Sequence, residues 1–311
     1  MNLLFIDHEC HRKTCSADFF LECLQTRFKI QTHYYSRCYH LELGTNTPDC
    51  DVAVSWEFLI SRWRFFFKGK RNIFVPMYDN ELLSYWPWKR IAWSGIGVIS
   101  FCDKVSAHAR RCGVTNLLDV RYFPDPSFLP QREGDFKRVF LWERGELDLK
   151  DAEKIFPPSS GFVIDVKHAD EFTNREDYLE RVAQSGIVVA PRRKEGIGMV
   201  FLEAMAMGKC VVAYNDATMN EYIRDGEDGI LFDVGPCAPI TDAQILHVRN
   251  NVRRTSEKLR LQWLSDAEKI AGFIEAQTPQ CPSFANRLKM TIVYPLFLME
   301  GICHLLKNFV W

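Results

Sequence analysis

Short apolar runs alternate with amphipathic stretches along nearly the whole chain. This is the pattern of strand–helix–strand units winding a parallel sheet. Leu3 to Ile6 predicts a first strand, and Phe20, Leu21, Leu24 and Phe28 share one face of a helix predicted over 17–28. Runs at 51–55, 72–76, 97–101 and 120–123 continue the strands. The stretch 124–135 then brings Pro124, Pro126, Pro130 and Gly134. Proline fixes φ and lacks a donor, so this segment predicts a linker and the domain boundary. A second series follows, with strands at 137–142, 161–166, 187–190, 210–213 and 229–232 and a helix over 200–207. Thr241 with Gln244, and Ser265 with Glu268, have capping-box spacing, and each predicts a helix start. The residues from 283 to 311 read as an apolar, aromatic and helical tail.

The expected fold class is therefore α/β, with two doubly wound Rossmann-like domains facing across a cleft, one over residues 1–130 and one over 131–282. In such sheets ligands bind beyond the carboxyl ends of the strands, so the loops after strands are where chemistry is sought.

Composition narrows the classes. A chain of 311 residues that is 47% hydrophobic is neither disordered nor a small disulfide-stapled scaffold. Lys and Arg total 39 against 40 Asp and Glu, a net charge of -1, so no basic excess points to nucleic acid. The 11 cysteines include no C-x-x-C pair, and with no secretion signal they read as reduced thiols in a cytoplasmic protein. No apolar run approaches the ~18 residues of a membrane span.

The most informative stretch runs from Pro191 to Gly208, after a buried strand and into a helix. Gly196 and Gly198 let the backbone approach a ligand, and the amides from Met199 onward, with the positive end of the helix dipole, suit a phosphate. Glu203, about one turn into the helix, can accept two hydroxyl hydrogen bonds from a ribose, and Glu195 stands before the glycines on the other side of the phosphate position. Together these describe a nucleotide-sugar site. Glycosidase chemistry, in which two carboxylates flank the bond, fits less well because the glycines between the pair build an anion site.

Glu195 and Glu203 are separated by seven residues, within the frame E-G-x-G-x-x-x-x-E-A-M-A-x-G-x-x-V-V-A. This resembles the retaining GT-B glycosyltransferases with the E-x7-E motif (family 4-like, group 1). The block from Asn220 to Phe232 is similar to that family's next block. The resemblance implies sugar transfer from a nucleotide-diphosphate donor to an acceptor hydroxyl, with retention and without metal or other cofactor. It assigns Glu195 to the donor sugar and anomeric centre, and Glu203 to the ribose. It also implies that the 283–311 tail crosses back onto an acceptor-side N-terminal domain. In the loop after the second domain's first strand, Arg144 and Lys150 match the family's diphosphate-binding Arg and Lys, the spacing being closer for Arg144. A departing phosphate that takes the acceptor proton on the same face completes the implied mechanism.

Other signals are weaker. The family's Gly-rich loop after strand one is replaced by Asp7 to Ser16, where His8, Glu9 and His11 read either as a sparse metal set or, better, as polar residues at a strand end. Tyr78 stands where the family often has His, and Asp79 either orients an acceptor hydroxyl or caps the next helix. Asp49-Cys50-Asp51 reads as a turn. Residues 62–71 mix cations with aromatics, which suits an anionic membrane surface or, alternatively, a core with solvated cations. The acceptor expected at family level is a cell-surface polysaccharide, a lipopolysaccharide or a lipid-linked glycan. The rival readings are a catalytically degenerate binding protein and a sugar-nucleotide epimerase on the same fold.

Overall fold

A computed structural model of the protein describes residues 1–35, 49–57, 69–79, 85–144, 146–168, 171–190, 192–233 and 238–293. Most of the basic-aromatic stretch and the tail beyond 293 lie outside the described residues. The chain forms two compact units, Met1–Val120 with Asp266–Trp311, and Arg121–Ser265. The division falls ahead of the proline-rich segment. Tyr122 packs edge-on against Trp263 with ring centroids 5.1 Å apart, and Arg260 donates to the Phe123 carbonyl and to Asp125, so this segment is built into the second unit.

The first unit contains β1 (Asn2–His8), α1 (Glu9–Thr14), α2 (Asp18–Leu24), β2 (Lys29–Tyr35), β3 (Val52–Glu57), β4 (Arg71–Pro76), α3 (Tyr85–Ser94), β5 (Gly97–Ser100), α4 (Asp103–Arg111) and β6 (Leu117–Asp119). Its strands are parallel in the order β2-β1-β3-β4-β5-β6. β3 is buried along its whole length, as a strand covered on both faces must be. Trp56 anchors the core under α2, with its ring centroid 5.1–6.2 Å from those of Phe5, Phe19, Phe20 and Phe101.

The second unit contains β7 (Asp135–Trp142), α5 (Leu149–Ile155), β8 (Val163–Lys167), α6 (Arg175–Gln184), β9 (Ser185–Val189), α7 (Met199–Ala206), β10 (Cys210–Tyr214), α8 (Met219–Tyr222) and β11 (Ile230–Phe232). Its parallel sheet runs β11-β10-β9-β7-β8. Val139, Leu141, Val189 and Val212 meet Ile245 and Val248 of the long helix α9 (Asp242–Ala276) in one apolar cluster. Lys209, fully buried beside this sheet, donates to the carbonyls of Arg132 and Ala183 at 2.6 Å each. Burial lowers its pKa to about 8.

Both sheets are wound alike. In each, the first strand lies between the second and the third, so the winding reverses between β1 and β3 and again between β7 and β9.

Three sequence expectations are corrected. The last strand of the first sheet is Leu117–Asp119, not 120–123: one further ladder-like bond, from Val120 N to Ser100 O, precedes the departure toward Trp263. β2 was not expected, because Lys29, Gln31, Thr32 and His33 give an edge strand without an apolar signature. Ser265 and Glu268 start no helix. Trp263, Ile270 and Ile274 keep the buried period running through α9, so a capping-box spacing inside a helix has no free N–H groups to cap. At Thr241 the box does form, with Thr241 N donating to Gln244 Oε1 and Gln244 N to Thr241 Oγ1. Helix α10 (Phe284–Ile292) packs on α3 in the first unit, where Ser94 Oγ contacts Met290 Sδ and Asn286 donates to the Trp93 carbonyl.

Candidate functional site

The carboxyl end of β9 delivers the chain to the loop that opens α7. Gly198 is the helix N-cap, at φ +79. A Cβ there would stand 1.9 Å from Phe201 Cε1, so only glycine fits this turn. No side chain caps α7 and no acid sits in its first turn, which leaves the amides that open at Met199 to a ligand. Thr218, fully buried and itself at φ +73, donates Oγ1 to the Glu195 carbonyl at 2.6 Å and pins the loop from below.

Glu195 is buried in this loop, and Arg192 Nη1 lies 3.6 Å from its carboxylate. Gly196 is buried with it. Arg193 N donates to Glu146 Oε2 at 2.5 Å, which ties the loop after β9 to the loop after β7. These two loops flank the strand pair at which this sheet reverses its winding, the place where doubly wound sheets hold ligands. Arg144 lies exposed in the β7 loop, its guanidinium 5.0 Å from the Trp142 ring centroid. Lys150 is exposed in the first turn of α5, which Asp148 caps.

Glu203 points into the protein, only 1% exposed. Arg175, the first residue of α6, donates to its Oε1 at 2.5 Å, while Oε2 is enclosed in the protein. Burial raises the carboxyl above its ordinary pKa, against the opposing charge of Arg175. The fully buried Tyr178 hydroxyl is its neighbour and is itself pushed up, first by burial and then by the Glu203 charge.

The structure thus brings Glu195, Gly196, Gly198, Met199 and Glu203 onto one loop and helix, with Arg144 in the adjoining loop and Lys150 at the helix start that follows it. Asp79 belongs to the first unit, half-buried after the end of β4 and beside Tyr78, whose hydroxyl accepts from Lys104 Nζ. Arg175, Tyr178 and Thr218 were missed by sequence reasoning. A signal did exist for α6: Asn174 accepts from Asp177 N, and Tyr178, Leu179, Val182 and Ala183 recur at helical spacing. The block after α8 is held internally. Asp228, fully buried, accepts from Arg224 and from Thr255 Oγ1. Among the described residues, no group of three or more His, Cys, Asp or Glu is arranged to hold a metal ion.

Two parallel, doubly wound α/β units with their loops arranged in this way define a GT-B-like fold, the fold of a class of glycosyltransferases. Residues 166–259 match the family model described as Glycosyl transferases group 1. Over 60 residues the chain is 42% identical to a phosphatidyl-myo-inositol mannosyltransferase of Mycobacterium leprae (strain TN). That match spans 19% of this chain and 16% of the length of that relative. Among solved structures, Anabaena Alr3699/HepE in complex with UDP and glucose is similar with a TM-score of 0.60 and 13% identity, over 89% of this chain and 100% of that one. AviGT4, a glycosyltransferase involved in avilamycin A biosynthesis, has a TM-score of 0.58 at 12% identity, over 88% and 97%. A glycosyltransferase from Rickettsia africae ESF-5 has a TM-score of 0.58 at 11% identity, over 88% and 99%. At these identities the likeness is one of fold.

Proposed function

We propose that the protein is a glycosyltransferase that moves a sugar from a nucleotide-diphosphate donor to an acceptor hydroxyl with retention of configuration. The observation that carries this reading is the uncapped start of α7 behind Gly198, lying between Glu195 and Glu203 at the sheet's reversal point. The amides there and the Arg144 guanidinium neutralise the departing diphosphate, with Lys150 as a further cation. Glu203 takes the ribose hydroxyls, and Arg175 fixes its carboxylate through Oε1. Glu195 orients the donor sugar, and Asp79 orients the acceptor hydroxyl in the N-terminal, acceptor-side unit. The departing phosphate accepts the acceptor proton, so the reaction asks for no metal. The family match over residues 166–259, and the UDP and glucose present in the HepE structure, support a nucleotide-sugar donor.

The acceptor is a glycan or lipid-linked glycan of the cell surface, and the enzyme works in the cytoplasm at the inner face of the membrane. No helix among the described residues is long and apolar enough to cross a membrane. The face of α10 exposes Phe284, Leu288 and Ile292 one turn apart, and the same helix carries Arg287 and Lys289 with no acid, a pattern that suits an anionic lipid surface.

The test is thermal stabilisation by UDP, GDP, ADP, CMP and dTDP, since a ligand of the native state raises stability by mass action. One of them should stabilise the wild type and fail to stabilise Glu203→Gln. Stabilisation by none, or equal stabilisation of the variant, overturns the reading.

A further inference from the structure

Helix α10 has two apolar faces. On one side Met290 and Val293 are buried and Asn286 donates to the Trp93 carbonyl, so this side is packed on α3. On the other side Phe284, Leu288 and Ile292 recur at intervals of four, which sets them along one stripe of the helix. They are 76%, 49% and 65% exposed. A helix already packed through one face needs no second apolar face in water, so the stripe is a contact surface for something apolar.

The charges around the stripe narrow the occupant. Helical spacing puts Arg287 at one margin of the stripe and Lys289 at the other; both are exposed, and α10 contains no acid. Lys289 Nζ lies 6.0 Å from the ring centroid of Trp93, which is half-buried. A lipid interface takes this combination: acyl chains meet the stripe, long basic side chains reach the headgroups, and an indole sits at the boundary. A second copy fits poorly, because α10 laid against α10 sets cations against cations. Charge is also divided along the chain. Lys and Arg outnumber Asp and Glu in the first unit, and the reverse holds in the second, so an anionic surface attracts the one and repels the other. Helix α9 supplies the contrast: Leu261 and Leu264 are exposed there too, but Glu257 and Glu268 share their face.

We propose that α10 lies flat in the interface of an anionic bilayer, its stripe among the acyl chains, and that it brings the first unit against the membrane while the second unit makes no lipid contact. That the docked protein transfers a sugar rests on the glycosyl-transfer reading; the docking rests on α10 itself.

The experiment follows amide hydrogen exchange by mass spectrometry over the full chain, with and without vesicles of phosphatidylglycerol in phosphatidylcholine at low salt. Peptides from 284–292 should exchange at least tenfold more slowly on vesicles, and peptides from 121–265 should be unchanged. Arg287→Glu with Lys289→Glu should lower partitioning onto these vesicles tenfold or more, whereas Leu261→Ser with Leu264→Ser should leave it unchanged. The wild-type exchange pattern decides by itself, whether or not the variants fold. The proposal falls if the protein does not bind the vesicles, if it binds with 284–292 unprotected or with 121–265 protected instead, or if vesicles of phosphatidylcholine alone bind it as well. It falls equally if the free protein is a dimer that Leu288→Ser with Ile292→Ser dissociates, since a second copy then covers the stripe. Nucleotide stabilisation of the same preparation separates the two readings. Vesicle binding without it leaves the docking and removes the donor reading, and nucleotide stabilisation without vesicle binding does the reverse.

Discussion

Replacing His11 by Gln should change how stability depends on pH. Burial alone would lower the His11 pKa, but its hydrogen bonds to Asp7 and Glu57 and their charges outweigh that and raise it from 6.5 to about 10. The folded state therefore holds this proton more tightly than the unfolded chain. Its contribution is complete below pH 6.5 and is lost as pH rises toward 10. At about 1.4 kcal/mol for each tenfold change in proton affinity, the full contribution is on the order of 5 kcal/mol. Lys209 acts in the opposite sense. Its folded pKa lies near 8, below the ordinary 10.5, so the folded state sheds that proton first and gains stability between those values. Urea denaturation of the wild type and His11→Gln at steps from pH 6 to 10 isolates the histidine by difference. The wild type should be more stable than the variant by several kcal/mol at pH 6, with the gap closing as pH rises. Two curves that stay parallel across the range would refute the linkage and the geometry from which it is derived.

Three further outcomes are expected. Gly198→Ala forces a residue with a Cβ into left-handed backbone against Phe201, and strain of roughly 1–2 kcal/mol plus overpacking of ~1–3 kcal/mol should appear as a loss of about 2–5 kcal/mol in urea titrations, together with loss of nucleotide binding. Lys209→Met leaves the buried Ala183 carbonyl without its donor at about 1–3 kcal/mol, and the part-buried Arg132 carbonyl at less, a loss visible in the same titration, whereas a variant as stable as the wild type would contradict the role given to this lysine. The protein should sediment with vesicles containing phosphatidylglycerol at low salt and remain in solution at high salt, and Leu288→Ser with Ile292→Ser should reduce the pelleted fraction.

What was legible in the sequence was what local rules determine. The glycines before α7 announce a backbone that approaches a ligand, because Gly198 needs its φ regardless of the rest of the molecule. The buried strands announce themselves by apolar runs, whereas β2, a half-exposed edge strand, does not. Partnerships across the fold were not legible. Arg175 reaches Glu203 from 28 positions away, and nothing in either neighbourhood encodes that meeting. The Asp7–His11 pair lies within one helical turn, so a local contact could be foreseen. Glu57 arrives only through the pairing of β3 with β1, where Ile6 stands opposite Ser55 and carries the two strand ends to the same edge. The sequence reading therefore saw scattered polar residues at a strand end where the structure has a bridged cluster.

The first unit is assembled from both ends of the chain, Met1–Val120 and Asp266–Trp311, whereas Arg121–Ser265 is continuous. On the ribosome this imposes an order. β1 to β6 emerge first but must wait for α10, which covers α3, while the second unit can close as soon as its own last helical turns are made. At ~5–20 residues per second, the intervening segment of about 150 residues holds the first unit incomplete for roughly ten to thirty seconds. During that interval the α3 surface around Trp93 and Ser94 is bare, so nascent-chain chaperones should engage the earlier-made unit, and a permuted chain that begins near Arg121 should escape that delay.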